Sequence, residues 1–206
     1  MNEKILNRRS HGEMNLVETE TKLTKTKEFA RARAQEKRAV ISGYICNSSL
    51  IEPTDSYGKP KYNATIAFSA DDEKTCSQIE KAMKTALEVK LSQFRKQGID
   101  PKWEETINPI KTDDEFDGFY FLRATATDKP NIVDNERKPM NLTSEPVFGA
   151  RANVSVLFRA TRVEGVSRIY AILQNVQLIE NKNYLEDINT FTADDDFDEI
   201  HDDEIE

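Results

Sequence analysis

The sequence predicts a mainly β fold, a small closed antiparallel barrel of about five strands carrying one long helix. Three observations lead there. Segments rich in β-branched and aromatic residues recur from residue 39 onward, several with a period of two. Only one strongly amphipathic helical stretch lies among them, and strands never alternate with helices as a parallel sheet would require.

The chain has 206 residues, 37% hydrophobic and 32% charged, which suits one compact domain with polar ends. Residues 1–38 lack an apolar period and close on a basic run containing Lys22, Lys25, Lys27, Arg31, Arg33, Lys37 and Arg38. This reads as a basic, flexible N-terminal arm with helical tendency around Glu28 to Lys37. Residues 39–190 read as the folded domain, and residues 191–206 as a disordered acidic tail.

Within the domain, Ala39 to Cys46 is the first strand and Pro53 to Pro60 is turn chemistry. Tyr62, Ala64, Ile66 and Phe68 then alternate with smaller, mostly polar residues, the period of a half-buried strand. Asp71, Asp72 and Glu73 are favourable first-turn charges for a helix whose apolar stripe is Cys76, Ile79, Met83, Leu87, Leu91 and Phe94. Arg95, Lys96 and Gly98 end it. Residues 100–117 read as a connection carrying the only tryptophan, Trp103, and Asp128 to Pro146 as a loop. Gly118 to Thr127, Arg151 to Thr161 and Val166 to Leu178 are the remaining strands.

The charge distribution narrows the function. The chain carries 29 Lys and Arg against 37 Asp and Glu, net -8. Nine of those carboxylates lie in the last fourteen residues, Ala193 to Glu206, so the rest holds 29 against 28, net +1. An acidic whole therefore leaves a charge-balanced body able to carry a local basic groove. The tail contains Asp194, Asp195, Asp196, Phe197, Asp198, Glu199, Asp202, Asp203 and Glu204, an interaction segment of acids punctuated by apolar side chains.

Enzymatic signals are missing. The two histidines, His11 and His201, sit in the ends expected to be disordered, and no phosphate-cradling glycine motif occurs. Neither a catalytic set, a metal site nor a cofactor is expected, and the protein reads as a binding protein rather than an enzyme. Cys46 and Cys76 lack CxxC spacing, and neither a secretory signal nor a membrane span is visible, so a cytoplasmic location is expected.

The strand faces suggest what is bound. In Arg151 to Thr161 the face opposite Ala152, Val154, Val156, Phe158 and Ala160 shows Arg151, Asn153 and Arg159. In the strand from Gly118 the face opposite Tyr120, Leu122, Ala124 and Ala126 shows Phe119, Phe121 and Arg123. Rings and guanidinium groups sharing outer barrel faces fit a single-stranded nucleic acid, whose bases stack on planes while cations follow the phosphates. The pattern equally allows Phe119 and Phe121 to pack under the long helix.

The order of several segments resembles the phage-encoded OB-fold single-stranded-DNA-binding proteins and their prophage relatives. The segments are Leu50-Ile51-Glu52-Pro53 with Lys61 to Ile66, the following helix, and Gly118 to Ala124 with Lys129 to Asp134. Gly149 to Val156, Leu173-Gln174-Asn175-Val176-Gln177 and the Asp-Asp-Asp-Phe-Asp tail complete the series. Ser69-Ala70 stands where relatives carry Pro-Lys, and Arg151 and Arg159 stand where relatives often carry tyrosines.

The resemblance implies a five-stranded Greek-key OB barrel that binds single-stranded DNA without strong sequence preference, in phage DNA replication, recombination and repair, within an infected or lysogenic bacterial cell. Expected stackers are Tyr57, Tyr62, Phe119, Phe121, Arg151 and Arg159, although the alternation of Tyr62 also allows the core face. Expected phosphate contacts are Lys59, Lys61, Arg123, Lys129, Arg162 and Arg168. The tail is expected to compete with DNA and to recruit polymerase, helicase or recombinase, phage or host; a homodimer is compatible with this. The alternatives are an acidic DNA mimic without DNA binding of its own and an RNA-binding barrel.

Overall fold

The computed structural model describes residues 24, 27–28, 30–56, 58–98, 100–113 and 116–185. The acidic tail, Tyr57 and most of the N-terminal arm lie outside these residues. Among them are seven strands, β1 Arg38–Ser56, β2 Lys59–Ser69, β3 Ile110–Thr112, β4 Phe119–Ala126, β5 Asn131–Val133, β6 Ala150–Val163 and β7 Val166–Glu180. A short helix covers residues 30–36 (α1), inside the stretch expected to be helical, and the long helix α2 runs Glu73–Lys96.

The sheet runs β3-β4-β2-β1-β6-β7-β5 and closes through a β4–β7 pairing, so β1, β2, β4, β7 and β6 form a five-stranded ring. This is the OB barrel. The closing pair, Ala124 with Ala171 and Thr125 with Ile172, is parallel, as is β5 with β7, so the barrel is not wholly antiparallel. Closure pairs β4 with β7 and leaves only the three-residue β3 and β5 as outer strands, edges too short to invite association.

Alternation sets the inside. Ala152, Val154, Val156, Phe158 and Ala160 of β6 are all buried, facing Ala39, Ile41 and Ile45 of β1. On β4 Leu122 and Ala124 are buried, with Tyr120 and Ala126 partly buried against the same core. The helix α2 packs across β6 and β1 and adds Ile79, Met83, Leu87 and Phe94 to that core. Asp72 caps its start by accepting from the Thr75 amide at 3.0 Å. Gly98, at φ 76, turns the chain after its end.

Two segments differ from the sequence reading. The turn expected over Pro53 to Pro60 is narrower, because β1 runs on to Ser56 and β2 begins at Lys59. The ladder breaks register between Ser49 and Thr54, which accommodates Pro53 and its missing N–H. The connections expected to be loops each contain a three-residue strand, β3 and β5.

One close approach shapes the barrel. A Cβ on Gly43 would lie 2.0 Å from the Ala67 carbonyl oxygen, so only glycine lets β1 coil this tightly over β2. Cys46 follows at a register shift between Ile45 and Asn47, and burial pushes its thiol up to about 11. Further along β1, the Glu145 carboxylate accepts from the Leu50 and Ile51 amides, both at 2.7 Å, and from Ser48 Oγ at 2.8 Å. These bonds pin the β5–β6 connection, with Val147 and Phe148, against the barrel wall.

Candidate nucleic-acid interface

The register aligns an outward-facing row across five strands. Arg151 on β6 pairs with Tyr44 on β1, Tyr44 with Ala67 on β2, Ala67 with Phe121 on β4, and Phe121 with Lys111 on β3. Inner-facing partners such as Ile45 and Ile66 alternate with these positions, which turns the row to the outward side of the sheet, where Ala67 itself is fully covered by its neighbours. Phe119, two residues from Phe121, occupies the same face opposite Ser69.

Ring contacts knit this face together. Tyr44 meets Phe119 edge-on at 6.2 Å between centroids and Tyr184 at 6.3 Å. Phe116 meets Phe121 at 5.7 Å and Phe148 at 6.2 Å. Phe119 and Phe121 therefore find their ring partners on the outer face while α2 lies against β6 and β1. Phe148 is 43% exposed beside the exposed Val147, and the other rings keep part of their surface open to solvent. Apolar rings half-buried by one another, each offering an edge or face, are what unstacked bases need.

Tyr184 reaches this face because the chain after β7 is strapped back under the β6 entry. Val147 N donates to Asn181 Oδ1 at 2.9 Å, Tyr184 N donates to the Gly149 carbonyl at 3.2 Å, and Leu185 is buried. A Cβ on Gly149, whose φ is 78, would fall 2.1 Å from Asn183 Oδ1, so the strap requires glycine here. A hydrogen bond with Glu180 raises the Tyr184 phenol above its ordinary value, and Lys182 Nζ stands 5.5 Å from the ring centroid.

A second group lies toward the far end of β6. Arg159 pairs with Tyr170 of β7, which is 42% exposed. With Lys61, Thr125 and Ile172 they line an open concavity of about 450 Å³. Arg123, exposed on β4 opposite Thr65, lies between this group and the aromatic row. Among the described residues the ion pairs join Lys84 to Glu80, Arg95 to Asp100, Lys102 to Glu105 and Lys138 to Glu136, all elsewhere. Lys61, Arg123, Arg151 and Arg159 thus form no ion pair with another described residue, although Glu180 stands opposite Arg151 in the β6–β7 ladder.

The remaining expected contacts are dispersed. Lys59 is exposed at the start of β2. Tyr62 is half-buried and paired with Ala126 on the inner-face register, away from the aromatic row. Lys129 lines a separate concavity with Ile51, Pro130, Met140 and Leu142. Arg162 borders a cleft against α2. Arg168 is half-buried opposite Thr161, its Nε enclosed without a partner among the described residues.

Sequence reasoning missed Tyr44, Phe116, Phe148, Tyr170 and Tyr184. Strand parity could have exposed two of them, since Tyr44 alternates with Gly43 and Ile45, and Tyr170 with Ile169 and Ala171. Among the described residues no cluster of histidine, cysteine or acidic side chains could hold a metal ion.

Comparison with known proteins places this geometry. The sequence model of a family described as Enterobacter phage Enc34, ssDNA-binding protein, matches residues 46–206. No curated protein matches the chain significantly. Among solved structures, the single-stranded DNA-binding protein of bacteriophage Enc34 in complex with ssDNA aligns with TM-score 0.55 at 16% identity, over 71% of this chain and 88% of that one. Gp2.5, a single-stranded DNA binding protein encoded by bacteriophage T7, aligns with TM-score 0.56 at 15% identity, over 76% of this chain and 98% of that one. At these identities the structural likeness establishes the shared barrel.

Proposed function

Because the chain belongs to the family of the Enterobacter phage Enc34 ssDNA-binding protein, we propose that it binds single-stranded DNA across the outer face of β1, β2, β4 and β6. The observation that carries this reading is the Arg151–Tyr44–Ala67–Phe121 row, with its linked rings and with cations that enter no ion pair among the described residues. Bases stack on Tyr44, Phe119 and Phe121, with Phe148 and Tyr184 at the margin. Arg123, Arg151, Arg159 and Lys61 hold phosphates, and Lys59 stands at the rim. Stacking accepts every base, so recognition is independent of sequence. Such a protein serves phage DNA replication, recombination and repair by protecting exposed strands.

The acidic tail acts on the same face. The described chain ends at Leu185, one residue beyond Tyr184, whose ring touches Tyr44. The tail carboxylates begin at Asp194, nine residues beyond Leu185, a reach of at most about 3.5 Å per residue. They compete with phosphate for the four cations, and DNA binding frees them to recruit polymerase, helicase or recombinase.

Equilibrium binding of a fluorescent dT oligomer to the full chain and to a chain ending at Thr192, across a salt series, tests both parts. Four phosphate contacts predict a log-affinity against log-salt slope of about -3 for the shortened chain, with tighter binding than the full chain at low salt. Equal affinities would refute the competition. No binding by either chain would refute the DNA reading and leave the tail as a DNA mimic, while stronger binding to poly-U than to poly-dT would favour RNA.

A further inference from the structure

The outer face of the barrel does not end at Arg159. That side chain also lines a second cleft of about 410 Å³, walled on one side by Lys90 and Gln93 of α2 with Gln97 at its C-cap and on the other by Thr161 and Arg162 of β6. No carboxylate lines this cleft, and none of Lys90, Arg159 and Arg162 has an ion-pair partner among the described residues. Lys90 Nζ donates to Gln93 Oε1 at 2.9 Å, which holds the ammonium along the helix wall and leaves the Gln93 amide N–H groups to donate. One arginine is therefore common to two adjoining concavities, one on the barrel and one beneath the helix.

Resting on the DNA-binding reading, we propose that α2 is part of the binding surface and that the strand continues past Arg159 into this cleft. There Lys90 and Arg162 hold phosphates, and Gln93 and Gln97 donate hydrogen bonds to the backbone. The C-terminal end of a helix opposes an anion with roughly half a negative charge. Lys90, Arg159 and Arg162 bring three full positive charges to the cleft, and Lys96 occupies the last helical turn beside the Asp100-paired Arg95, so the local field still favours phosphate. The cleft is predominantly polar, which suits a backbone track. Base stacking stays on the aromatic row, so bases over the cleft face solvent.

The test measures binding of a series of dT oligomers of increasing length to the full chain and to Lys90→Gln, Arg162→Gln and Lys81→Gln variants. Lys81 is a matched control, because it lies on α2 but lines a different concavity, beside Gln35 and Glu36. For oligomers too short to pass Arg159, all variants should bind like the wild type except for a small uniform change. For long oligomers, Lys90→Gln and Arg162→Gln should each lower the salt slope by about 0.7, and affinity should stop rising at a shorter length than for the wild type. Lys81→Gln should leave both unchanged. Wild-type slopes and plateau lengths in Lys90→Gln and Arg162→Gln, with binding intact, would overturn the inference alone. Equal losses from Lys81→Gln would also overturn it, by assigning the effect to overall charge. Failure of the wild type to bind any oligomer would overturn it together with the DNA reading.

Discussion

Replacing Tyr44 by alanine is the sharpest perturbation of the proposed interface, because its ring joins two others. It contacts Phe119 at 6.2 Å and Tyr184 at 6.3 Å while sharing a cross-strand row with Arg151 and Phe121. Two aromatic pairs at about 0.5–1.5 kcal/mol each put the loss of stability at roughly 1–3 kcal/mol, which a domain stable by about 5–15 kcal/mol survives folded. Loss of one stacked base costs a further ~1–3 kcal/mol of binding, a dissociation constant raised about 5- to 150-fold. A ring carries no charge, so the salt slope should stay at its wild-type value. Arg151→Gln should lower the slope by about 0.7, with a smaller loss of affinity at high salt. Fluorescence anisotropy with a dT oligomer over a salt series, beside a melting curve for each variant, separates the two effects. Tyr44→Phe should bind like the wild type. A Tyr44→Ala protein that melts earlier yet binds dT unchanged would refute the reasoning, by showing that the ring only packs.

Other expectations follow from the fold. Gly43→Ala should lower the free energy of urea unfolding by at least the roughly 1–3 kcal/mol typical of overpacking, because the obstructing atom is the Ala67 backbone carbonyl at 2.0 Å. The side-chain hydrogen bond with Thr75 holds the Asp72 carboxyl below its ordinary value, so its contribution is complete above the unfolded chain's carboxyl range and is lost as pH falls through the lowered value. Asp72→Ala should therefore melt earlier than the wild type at neutral pH, with the gap closing in acid; a gap independent of pH would contradict the cap. With its thiol pushed up to about 11, Cys46 should alkylate far more slowly in the native protein at mildly alkaline pH than in urea. Comparable rates would show the site to be open.

The long elements were legible because their periods are. Ala152, Val154, Val156, Phe158 and Ala160 alternate without interruption, and α2 repeats its apolar residues at three and four. The strands β3 and β5 were not, since three residues between prolines and charges carry no measurable period. The continuation of β1 past Pro53 was hidden by the register break that accommodates it. The candidate site was half legible for a related reason. Phe119, Phe121, Arg123 and Arg151 share faces that alternation within a single strand can show. Tyr44 and Phe121 become members of one surface only through the registers of β1, β2 and β4, which no single segment encodes. Phe148 and Tyr184 arrive by way of the Glu145 and Asn181 bonds and the backbone at Gly149, which are tertiary facts. Tyr62 shows the converse, because its alternation with Ala64 and Ile66 already pointed inward.

Photo-cross-linking with a dT oligomer carrying 5-iodouracil at successive positions, followed by mapping of the modified peptides, tests the central claim most directly. The account predicts adducts on Tyr44, Phe119 and Phe121, with Phe148 or Tyr184 at the margin, all suppressed by excess unlabelled dT. Adducts confined to Trp103 and the exposed side of α2, with none on β1 or β4, would contradict it.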